Sequence, residues 1–324
     1  MTKALITTIP FGEKDPLPLD ALDDAGIEWQ INPLKRKLSE SELAELVSGY
    51  DCIIAGTETI SERVMDNATN LKMISRVGIG LDGVDLNAAR ERGISVSYTP
   101  DAPAPAVAEL TLCMILSLLR SAHIANAQMH RGEWDRIFGR RLAEITVGII
   151  GVGRIGGRVI QSLKAFGPSR LLVNDIHPNR IKVHGLKLEW CSKQTIYKEA
   201  DVICLHLPLT KQTHNLIKKE QLLSMKKDAV IINPSRGGII NEQDLYEVLK
   251  MGYLSGAALD VFEQEPYAGN LREIERCMLT SHMGSMTLDC RNRMEIEATE
   301  EVIRFFARGE QRNPVPEFEY DIRR

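Results

Sequence analysis

The sequence predicts an α/β protein with parallel sheets, organised in roughly two domains. Short apolar runs typical of buried strands alternate with helical patterns along most of the 324 residues. No internal repeat or low-complexity segment interrupts this alternation. The composition, with 44% hydrophobic and 26% charged residues, is that of an ordinary globular protein. It excludes a disordered chain, a collagen-like repeat and a small disulfide-stabilised scaffold.

Apolar runs that mostly end at a turn or polar residue predict the strands. These runs are Lys3 to Thr8, Cys52 to Ala55, Met73 to Arg76, Ile94 to Tyr98, Thr146 to Ile150, Leu171 to Asn174, Val202 to Leu207, Ala229 to Ile232 and Gly256 to Leu259. A long helix with at most one break is predicted from Ala106 to Met129, followed by a polar, basic stretch from Arg131 to Arg141. A further helical pattern covers Met294 to Gly309.

Charge and hydropathy narrow the classes of partner. The 44 acidic and 40 basic residues give a net charge of −4, and no basic block exceeds Lys35 to Lys37, so nucleic acid is not expected as a partner. The apolar run Leu110 to Leu119 is about half of what a membrane-spanning helix needs, and the N-terminus lacks the pattern of a signal peptide. We therefore expect a cytoplasmic protein. Scattered cysteines without zinc-type spacing predict reduced packing residues and no metal site; they are Cys52, Cys113, Cys191, Cys204, Cys277 and Cys290.

A glycine-rich turn follows the strand Thr146 to Ile150 and opens an amphipathic helix that Gly167 and Pro168 end. Its glycines are Gly151, Gly153 and Gly156. In a dinucleotide-binding turn the first permits a tight turn, the second lets the backbone approach a pyrophosphate, and the third lets the helix pack against the strand. The free N–H groups of the helix then face the phosphates. Because strand, glycines and helix occur in this order, the turn predicts a dinucleotide site.

The acidic residue after the next strand favours NAD over NADP. Asp175 directly follows the strand Leu171 to Asn174. A carboxylate at this place can accept hydrogen bonds from both hydroxyls of the adenosine ribose and would repel a 2′-phosphate. Arg180 lies nearby and is the one residue in this stretch that would favour the phosphorylated cofactor.

Three polar segments come just after strand candidates, at the carboxyl ends where an open α/β sheet binds its ligands. They begin at Asn233, Asp260 and Thr280, and they contain Arg236, Glu265 and His282 respectively. Singly, such residues are usually surface ion pairs or satisfied hydrogen bonders. Together, behind a dinucleotide site, they predict a catalytic set.

The chain resembles the D-isomer-specific 2-hydroxyacid dehydrogenases over nearly its whole length. The matching stretches are Asn70 to Asp85, Ala106 to Leu110, Gly148 to Gly156, His206 to Thr210, Arg236 to Gly238, Leu259 to Pro266 and His282 to Gly284. The resemblance implies NAD-dependent hydride transfer between the nicotinamide and C2 of a D-2-hydroxy acid or 2-keto acid.

The resemblance also implies roles for the catalytic set. Arg236 matches the arginine that holds the substrate carboxylate and polarises the adjacent carbonyl. His282 matches the acid/base that gives a proton to the carbonyl oxygen and takes it back in the oxidative direction. Glu265 matches its carboxylate partner, which orients the imidazole and favours its charged form. Formate dehydrogenases carry Gln at that position, so Glu265 argues for a 2-hydroxy acid.

Further positions match binding contacts of the family. The backbone of Val77 and Gly78 matches the loop that receives the substrate carboxylate, although the local glycines also fit an ordinary turn. Asp260 matches the residue that anchors the nicotinamide amide, although it also fits a cap of the following segment. The remaining implied cofactor contacts are Arg154, Ile155, Leu207, Thr213 and Gly284.

The resemblance implies two Rossmann-like, doubly wound domains. A discontinuous substrate domain, residues 1–99 and 290–324, would enclose an inserted NAD-binding domain, residues 100–289, with catalysis in the cleft between them. The helix from Ala106 would form the dimerisation arm of a homodimer. The chain departs from the family pattern at Tyr98, Ser281 and Ser285. None of these differences removes a reacting group, so they affect the expected shape of the pocket more than the expected activity.

The substrate side chain is left open by the sequence. The stretch Ile54 to Ile60 resembles the phosphoglycerate-dehydrogenase-like branch, but it carries Glu58 where phosphate-binding members place arginines, and Glu58 would repel an anionic group. Arg136, Arg140 and Arg141 either supply positive charge from a neighbouring subunit or form an exposed basic face. The candidates are thus 3-phosphoglycerate or a related short acid such as glycerate or glyoxylate. An alternative of another class is an NADH-sensing protein of the same fold that acts through protein partners.

Overall fold

The computed structural model describes residues 1–178 and 187–321. It divides into two compact units, Met1–Pro103 with Met286–Arg324, and Ala104–Ser285. The N-terminal and C-terminal segments thus build one unit, and the middle of the chain builds the other. The whole of the long helix predicted from Ala106 belongs to the second unit.

The first unit contains a five-stranded parallel sheet with the order β2-β1-β3-β4-β5. Its strands are β1 (Lys3–Ile6), β2 (Glu28–Ile31), β3 (Cys52–Ala55), β4 (Met73–Arg76) and β5 (Ser95–Tyr98). Its helices are α1 (Leu17–Asp24), α2 (Glu40–Leu46), α3 (Glu62–Asn67), α4 (Leu86–Glu91), α11 (Leu288–Arg308) and α12 (Glu317–Asp321). This strand order is that of a doubly wound, flavodoxin-like sheet.

The C-terminal helix α11 completes the first unit. The Ser75 hydroxyl in β4 donates to the carbonyl of Ala298 at 2.8 Å, which joins the helix to the sheet. Within the helix, the buried carboxylate of Glu301 accepts the N–H groups of Arg312 and Asn313, which follow the helix in the sequence. The bond from Ser75 joins two segments that are far apart in the sequence, and the bonds to Glu301 hold the chain after α11 against that helix.

The second unit contains a seven-stranded parallel sheet with the order β12-β11-β10-β9-β6-β7-β8. Its strands are β6 (Thr146–Ile150), β7 (Arg170–Asn174), β8 (Glu189–Trp190), β9 (Val202–Leu205), β10 (Val230–Asn233), β11 (Gly256–Leu259) and β12 (Cys277–Leu279). Its helices are α5 (Ala104–Arg120), α6 (Ala122–His130), α7 (Arg154–Leu163), α8 (Lys193–Glu199), α9 (Lys219–Leu223) and α10 (Glu242–Lys250). The strand order reverses between β6 and β9, as in a Rossmann sheet.

Both faces of the second sheet are buried, which explains why its central strands are continuous apolar runs. Val147 and Ile149 point into one core with α5 and α7, whereas Ile150 points into the other core with α8 and α10. The predicted fold class, two doubly wound α/β domains of which one is discontinuous, is confirmed.

The predicted elements are present with a few differences. The strands β2, β8 and β12 were not predicted. The long helix is broken once, at Ser121, whose φ of 49° is left-handed, and α5 and α6 are bent by 69° there. Among the described residues, no single helix is long and apolar enough to cross a membrane. Only this bent pair, taken together, has the length and composition of a membrane span.

Candidate active site

The glycine-rich turn joins β6 to α7 and leaves no room for side chains. Gly151 has a φ of +92°, and a Cβ there would lie 2.2 Å from the carbonyl oxygen of His206. A Cβ at Gly156 would lie 2.0 Å from the carbonyl oxygen of Gly151. At Gly153, by contrast, a Cβ would meet no atom within 4 Å. The turn therefore packs tightly inward and is open outward at the start of α7, as a pyrophosphate site requires.

Asp175 lies beside this turn. Its carboxylate accepts the N–H of Val152 and the N–H of His177, each at 2.8 Å. A carboxylate has about four acceptor sites, so two remain for ribose hydroxyls. The geometry fits the adenosine end of a dinucleotide without a 2′-phosphate. Arg180, the residue that would favour NADP, lies outside the described residues.

The other predicted cofactor contacts differ in their surroundings. Arg154 is exposed and Ile155 is half-buried in the first turn of α7. Leu207 packs close to the turn, because its Cδ2 would lie 3.1 Å from a Cβ at Gly151. Thr213 uses its hydroxyl within its own loop, donating to the carbonyl of Pro208 at 2.6 Å and accepting the N–H of Thr210 at 2.8 Å. Thr213 therefore shapes the loop after β9.

Arg236 projects from the loop that follows β10. Asn233, at the end of that strand, fixes the loop by donating to the carbonyl of Arg236 at 2.8 Å and accepting the N–H and hydroxyl of Ser235. A Cβ at Gly237 would lie 2.0 Å from the carbonyl carbon of Phe262. The close approach of these two loops brings the half-buried Arg236 beside the loop that carries Glu265.

Glu265 and His282 form a hydrogen-bonded pair. The Nδ1 of His282 lies 2.9 Å from Oε2 of Glu265, and Oε1 of Glu265 accepts the N–H of Phe262 at 3.1 Å. Both side chains are partly exposed, at 36% and 25%. A carboxylate at Nδ1 leaves Nε2 as the nitrogen that can exchange a proton with a ligand. The pair is arranged for acid/base chemistry.

Asp260 is fully buried and holds the loop of His282. Its carboxylate accepts the Thr280 hydroxyl at 2.5 Å, the Met283 N–H at 2.9 Å and the Gly284 N–H at 2.8 Å, and its carbonyl accepts the His282 N–H at 2.8 Å. The sequence did not reveal this function, because it depends on hydrogen bonds between segments about twenty residues apart. Contact of Asp260 with a nicotinamide amide stays a prediction, as does contact of Gly284 with the cofactor.

A second acidic residue lies near the pair and was not predicted. Glu242, at the start of α10, is half-buried and accepts the N–H of Glu263 at 2.7 Å. Burial and the nearby carboxylates of Glu263 and Glu265 raise the pKa of Glu242 above its ordinary value, although the hydrogen bond from Glu263 opposes this shift. A carboxyl that protonates more readily adds less negative charge around Glu265.

Val77 and Gly78 lie in the first unit, after β4. The Val77 N–H donates to the carbonyl of Ala55 at 2.9 Å, and the Gly78 N–H donates to the hydroxyl of the buried Thr99 at 2.7 Å. Both groups thus have partners within the unit, and reception of a substrate carboxylate requires these bonds to be exchanged. That role stays a prediction, and Thr99 is a participant that the sequence did not indicate.

The charged residues considered for a phosphate have internal partners. Glu58 is 3% exposed, accepts the N–H of Gly56 at 2.8 Å and is hydrogen-bonded to the hydroxyl of Thr7. Arg140 pairs with Asp201 at 3.4 Å and Arg141 with Glu144 at 2.9 Å. Arg136 is exposed. The described residues contain no cluster of three or more His, Cys, Asp or Glu side chains suited to a metal.

The second unit matches a known protein family. Residues 112–284 match the model of the D-isomer-specific 2-hydroxyacid dehydrogenase NAD-binding domain. The chain belongs to the D-isomer-specific 2-hydroxyacid dehydrogenase family. The matched segment contains the glycine-rich turn, Asp175 and the three catalytic candidates, and NAD is the cofactor of the matched domain.

Relatives of this chain are named for different acids. It is 38% identical over 292 residues to a D-3-phosphoglycerate dehydrogenase of Methanocaldococcus jannaschii, a match that covers 89% of this chain but 54% of that protein. It is 33% identical over 297 residues to a hydroxypyruvate reductase of Thermotoga maritima, covering 90% and 96% of the two chains. The crystal structure of a D-lactate dehydrogenase from Aquifex aeolicus with NAD and lactic acid superimposes with a TM-score of 0.84 at 28% identity, covering 96% and 98%. The chain thus spans about half the length of the phosphoglycerate dehydrogenase and nearly all of the other two.

Proposed function

We propose that the protein is an NAD-dependent oxidoreductase that transfers hydride between nicotinamide and C2 of a D-2-hydroxy acid or 2-keto acid. The observation that carries this proposal is the His282–Glu265 pair at 2.9 Å, with Arg236 on the adjoining loop. NAD supplies or accepts the hydride. In the reductive direction, Arg236 binds the substrate carboxylate through its planar guanidinium, and His282 donates the Nε2 proton to the oxygen on C2. Glu265 keeps the imidazole in the orientation that this transfer needs.

We propose an unphosphorylated short acid, such as glycerate or glyoxylate, as the substrate. Glu58 supports this choice, since it keeps a buried carboxylate in the loop after β3, where phosphate-binding relatives carry arginines. A phosphate near this carboxylate would meet repulsion that burial strengthens. Arg140 and Arg141 have carboxylate partners of their own, which weakens the case for 3-phosphoglycerate.

The rate of NADH oxidation with a panel of keto acids tests both proposals. The panel contains glyoxylate, pyruvate, hydroxypyruvate, 3-phosphohydroxypyruvate and a branched acid, with a control lacking substrate. We expect turnover of a small unphosphorylated acid, a preference for NADH over NADPH, and a loss of several orders of magnitude in kcat for His282→Ala with nearly unchanged NADH binding. Equal turnover by His282→Ala contradicts the assigned acid/base, and a preference for the phosphorylated acid contradicts the substrate. Tight NADH binding without turnover of any acid favours the NADH-sensing alternative.

We also propose that the protein is a cytoplasmic homodimer whose partners are small molecules. The segment 131–141 after α6 has no regular secondary structure and exposes Trp134, Ile137 and Phe138, with 75%, 40% and 102% of their surfaces accessible. Large exposed aromatic side chains on one segment are typical of a protein interface. All six cysteines are free, as in a reducing compartment.

A further inference from the structure

The two ring nitrogens of His206 are buried polar atoms that the proposed mechanism does not use. His206 follows β9, and its N–H donates to the carbonyl of Ile150 at the end of β6 at 2.8 Å. Among the described residues, neither Nδ1 nor Nε2 has a hydrogen-bond partner, although both are inaccessible. A neutral imidazole has one donor and one acceptor nitrogen, so two hydrogen-bonding groups are left unsatisfied.

The ring lies beneath the glycine-rich turn. Its Cδ2, which is bonded to Nε2, would lie 3.4 Å from a Cβ at Gly156. The carbonyl of the same residue would lie 2.2 Å from a Cβ at Gly151. His206 therefore contacts the first and the last glycine of the turn and adjoins the start of α7, where the pyrophosphate would bind.

An unsatisfied buried polar group costs free energy that an apolar side chain of similar size avoids. Burial also lowers the pKa of His206 to about 3, so the ring is neutral at physiological pH and forms no ion pair there. A leucine at this position would fill a similar volume without leaving buried hydrogen-bonding groups unsatisfied. The polarity of this residue therefore suggests a partner that arrives with a ligand.

We propose that His206 is a positioning residue for the cofactor, whose ring nitrogen hydrogen-bonds a water ordered by the bound pyrophosphate and so fixes the Gly151–Gly156 turn. This inference rests on the proposed cofactor site. Water is the fitting bridge because bridging waters hydrogen-bond nearly as well as direct partners. Since neither ring nitrogen is accessible in this conformation, the turn has to shift when the cofactor binds to admit that water. The contact forms only in the loaded protein.

The test measures NADH affinity and the stability of the protein without cofactor for His206→Leu, His206→Asn and the wild type. Affinity is followed by NADH fluorescence, and stability by urea unfolding. We expect His206→Leu to raise the Kd for NADH about five- to tenfold, the effect of one hydrogen bond, while stability without cofactor stays the same or increases. His206→Asn restores part of the affinity, because the amide keeps a donor and an acceptor. Cys204→Val, which changes another buried side chain of β9, leaves the Kd unchanged.

Each outcome decides the inference. An unchanged Kd for His206→Leu overturns it while leaving the proposed function intact, since the wild type still binds NADH and turns over. A parallel loss of stability and affinity in both His206 variants assigns the residue to packing and also overturns it. Absence of NADH binding by the wild type overturns this inference and the proposed function together.

Discussion

His282 adopts a left-handed backbone conformation, with a φ of 50°, that a residue with a side chain rarely takes. Such a conformation costs about 1–3 kcal/mol and persists only where the surroundings enforce it. Asp260 supplies that enforcement, because its buried carboxylate accepts hydrogen bonds on both sides of His282. The position of the proposed acid/base thus depends on a residue that need not touch the substrate.

Asp260→Asn is expected to lower kcat about tenfold or more. The amide nitrogen cannot accept the N–H of Gly284 or Met283, and one lost buried hydrogen bond costs about 1–3 kcal/mol. Steady-state kinetics with the preferred keto acid measures this loss. Asp201→Asn is the control, since Asp201 accepts the N–H of Thr146 and makes none of the bonds that hold the loop of His282. It should reduce stability without a comparable fall in kcat. Equal effects of the two variants on kcat would contradict the assignment.

The pKa of His206 predicts a specific pH dependence of stability. Burial lowers this pKa from 6.5 to about 3, so below pH 6.5 the unfolded chain binds the proton before the folded protein does. The stability of the folded protein therefore falls as the pH drops from 6.5 towards 3, with a slope of about 1.4 kcal/mol per pH unit, because only the unfolded chain is protonated in this range. Urea unfolding between pH 6 and 4, without cofactor, should show a steeper decline for the wild type than for His206→Leu. Parallel curves would rule out the buried neutral imidazole.

At the scale of elements, the sequence predicts the buried strands well and the edge strands poorly. The strands β3 and β10 are buried along their whole length, and such runs are recognisable because water is excluded from both faces. The edge strand β2 alternates between exposed and half-buried residues over Glu28–Ile31, and β8 has two residues, so neither produces an apolar run. Their place in the sheet comes from pairing with a neighbour.

The site shows the same limit. The motifs around Gly151, Arg236 and His282 are contiguous in sequence, and each contains turn or chemistry-bearing residues that local patterns identify. The hydrogen bonds that Asp260 accepts from residues 280–284, and the one that Gly78 donates to Thr99, join distant segments. They are products of the tertiary fold, which is why the sequence did not reveal them.

Two adjacent glycines of α7 provide a matched test of the glycine-rich turn. Gly156→Ala would place a Cβ 2.0 Å from the carbonyl oxygen of Gly151, so the helix must move, at a cost of about 1–3 kcal/mol. Gly157→Ala meets no atom within 4 Å and should stabilise the helix by about 0.5–1 kcal/mol. Thermal unfolding should therefore show a lower Tm, and NADH titration a higher Kd, for Gly156→Ala but not for Gly157→Ala. Equal behaviour of the two variants would contradict a turn that packs this tightly.

At the scale of the whole molecule, the chain returns to the unit in which it began. All five strands of the first sheet lie before residue 99 in the sequence, yet α11 and the segment after it belong to the same unit. The carbonyl of Asn313 accepts the N–H of Tyr98, and the N–H of Val315 donates to the carbonyl of Val96. The first unit therefore cannot complete its core until the second unit has been synthesised, which couples the formation of the two units along the chain.

The exposed segment 131–141 gives the whole-molecule prediction, since an isolated chain would leave Trp134 and Phe138 in water. Burying each aromatic side chain in an interface contributes roughly 1.5–3 kcal/mol, and a second copy of the chain provides the self-complementary surface that a two-fold dimer needs. Sedimentation equilibrium should therefore give twice the mass of 36.2 kDa for the wild type. The double variant Trp134→Ser with Phe138→Ser should raise the dissociation constant by about 100-fold or more. Leu17→Ser, at another exposed apolar side chain, should not change it. A monomeric wild type, or a dimer equally stable in the double variant, would show that this segment does not form the subunit interface.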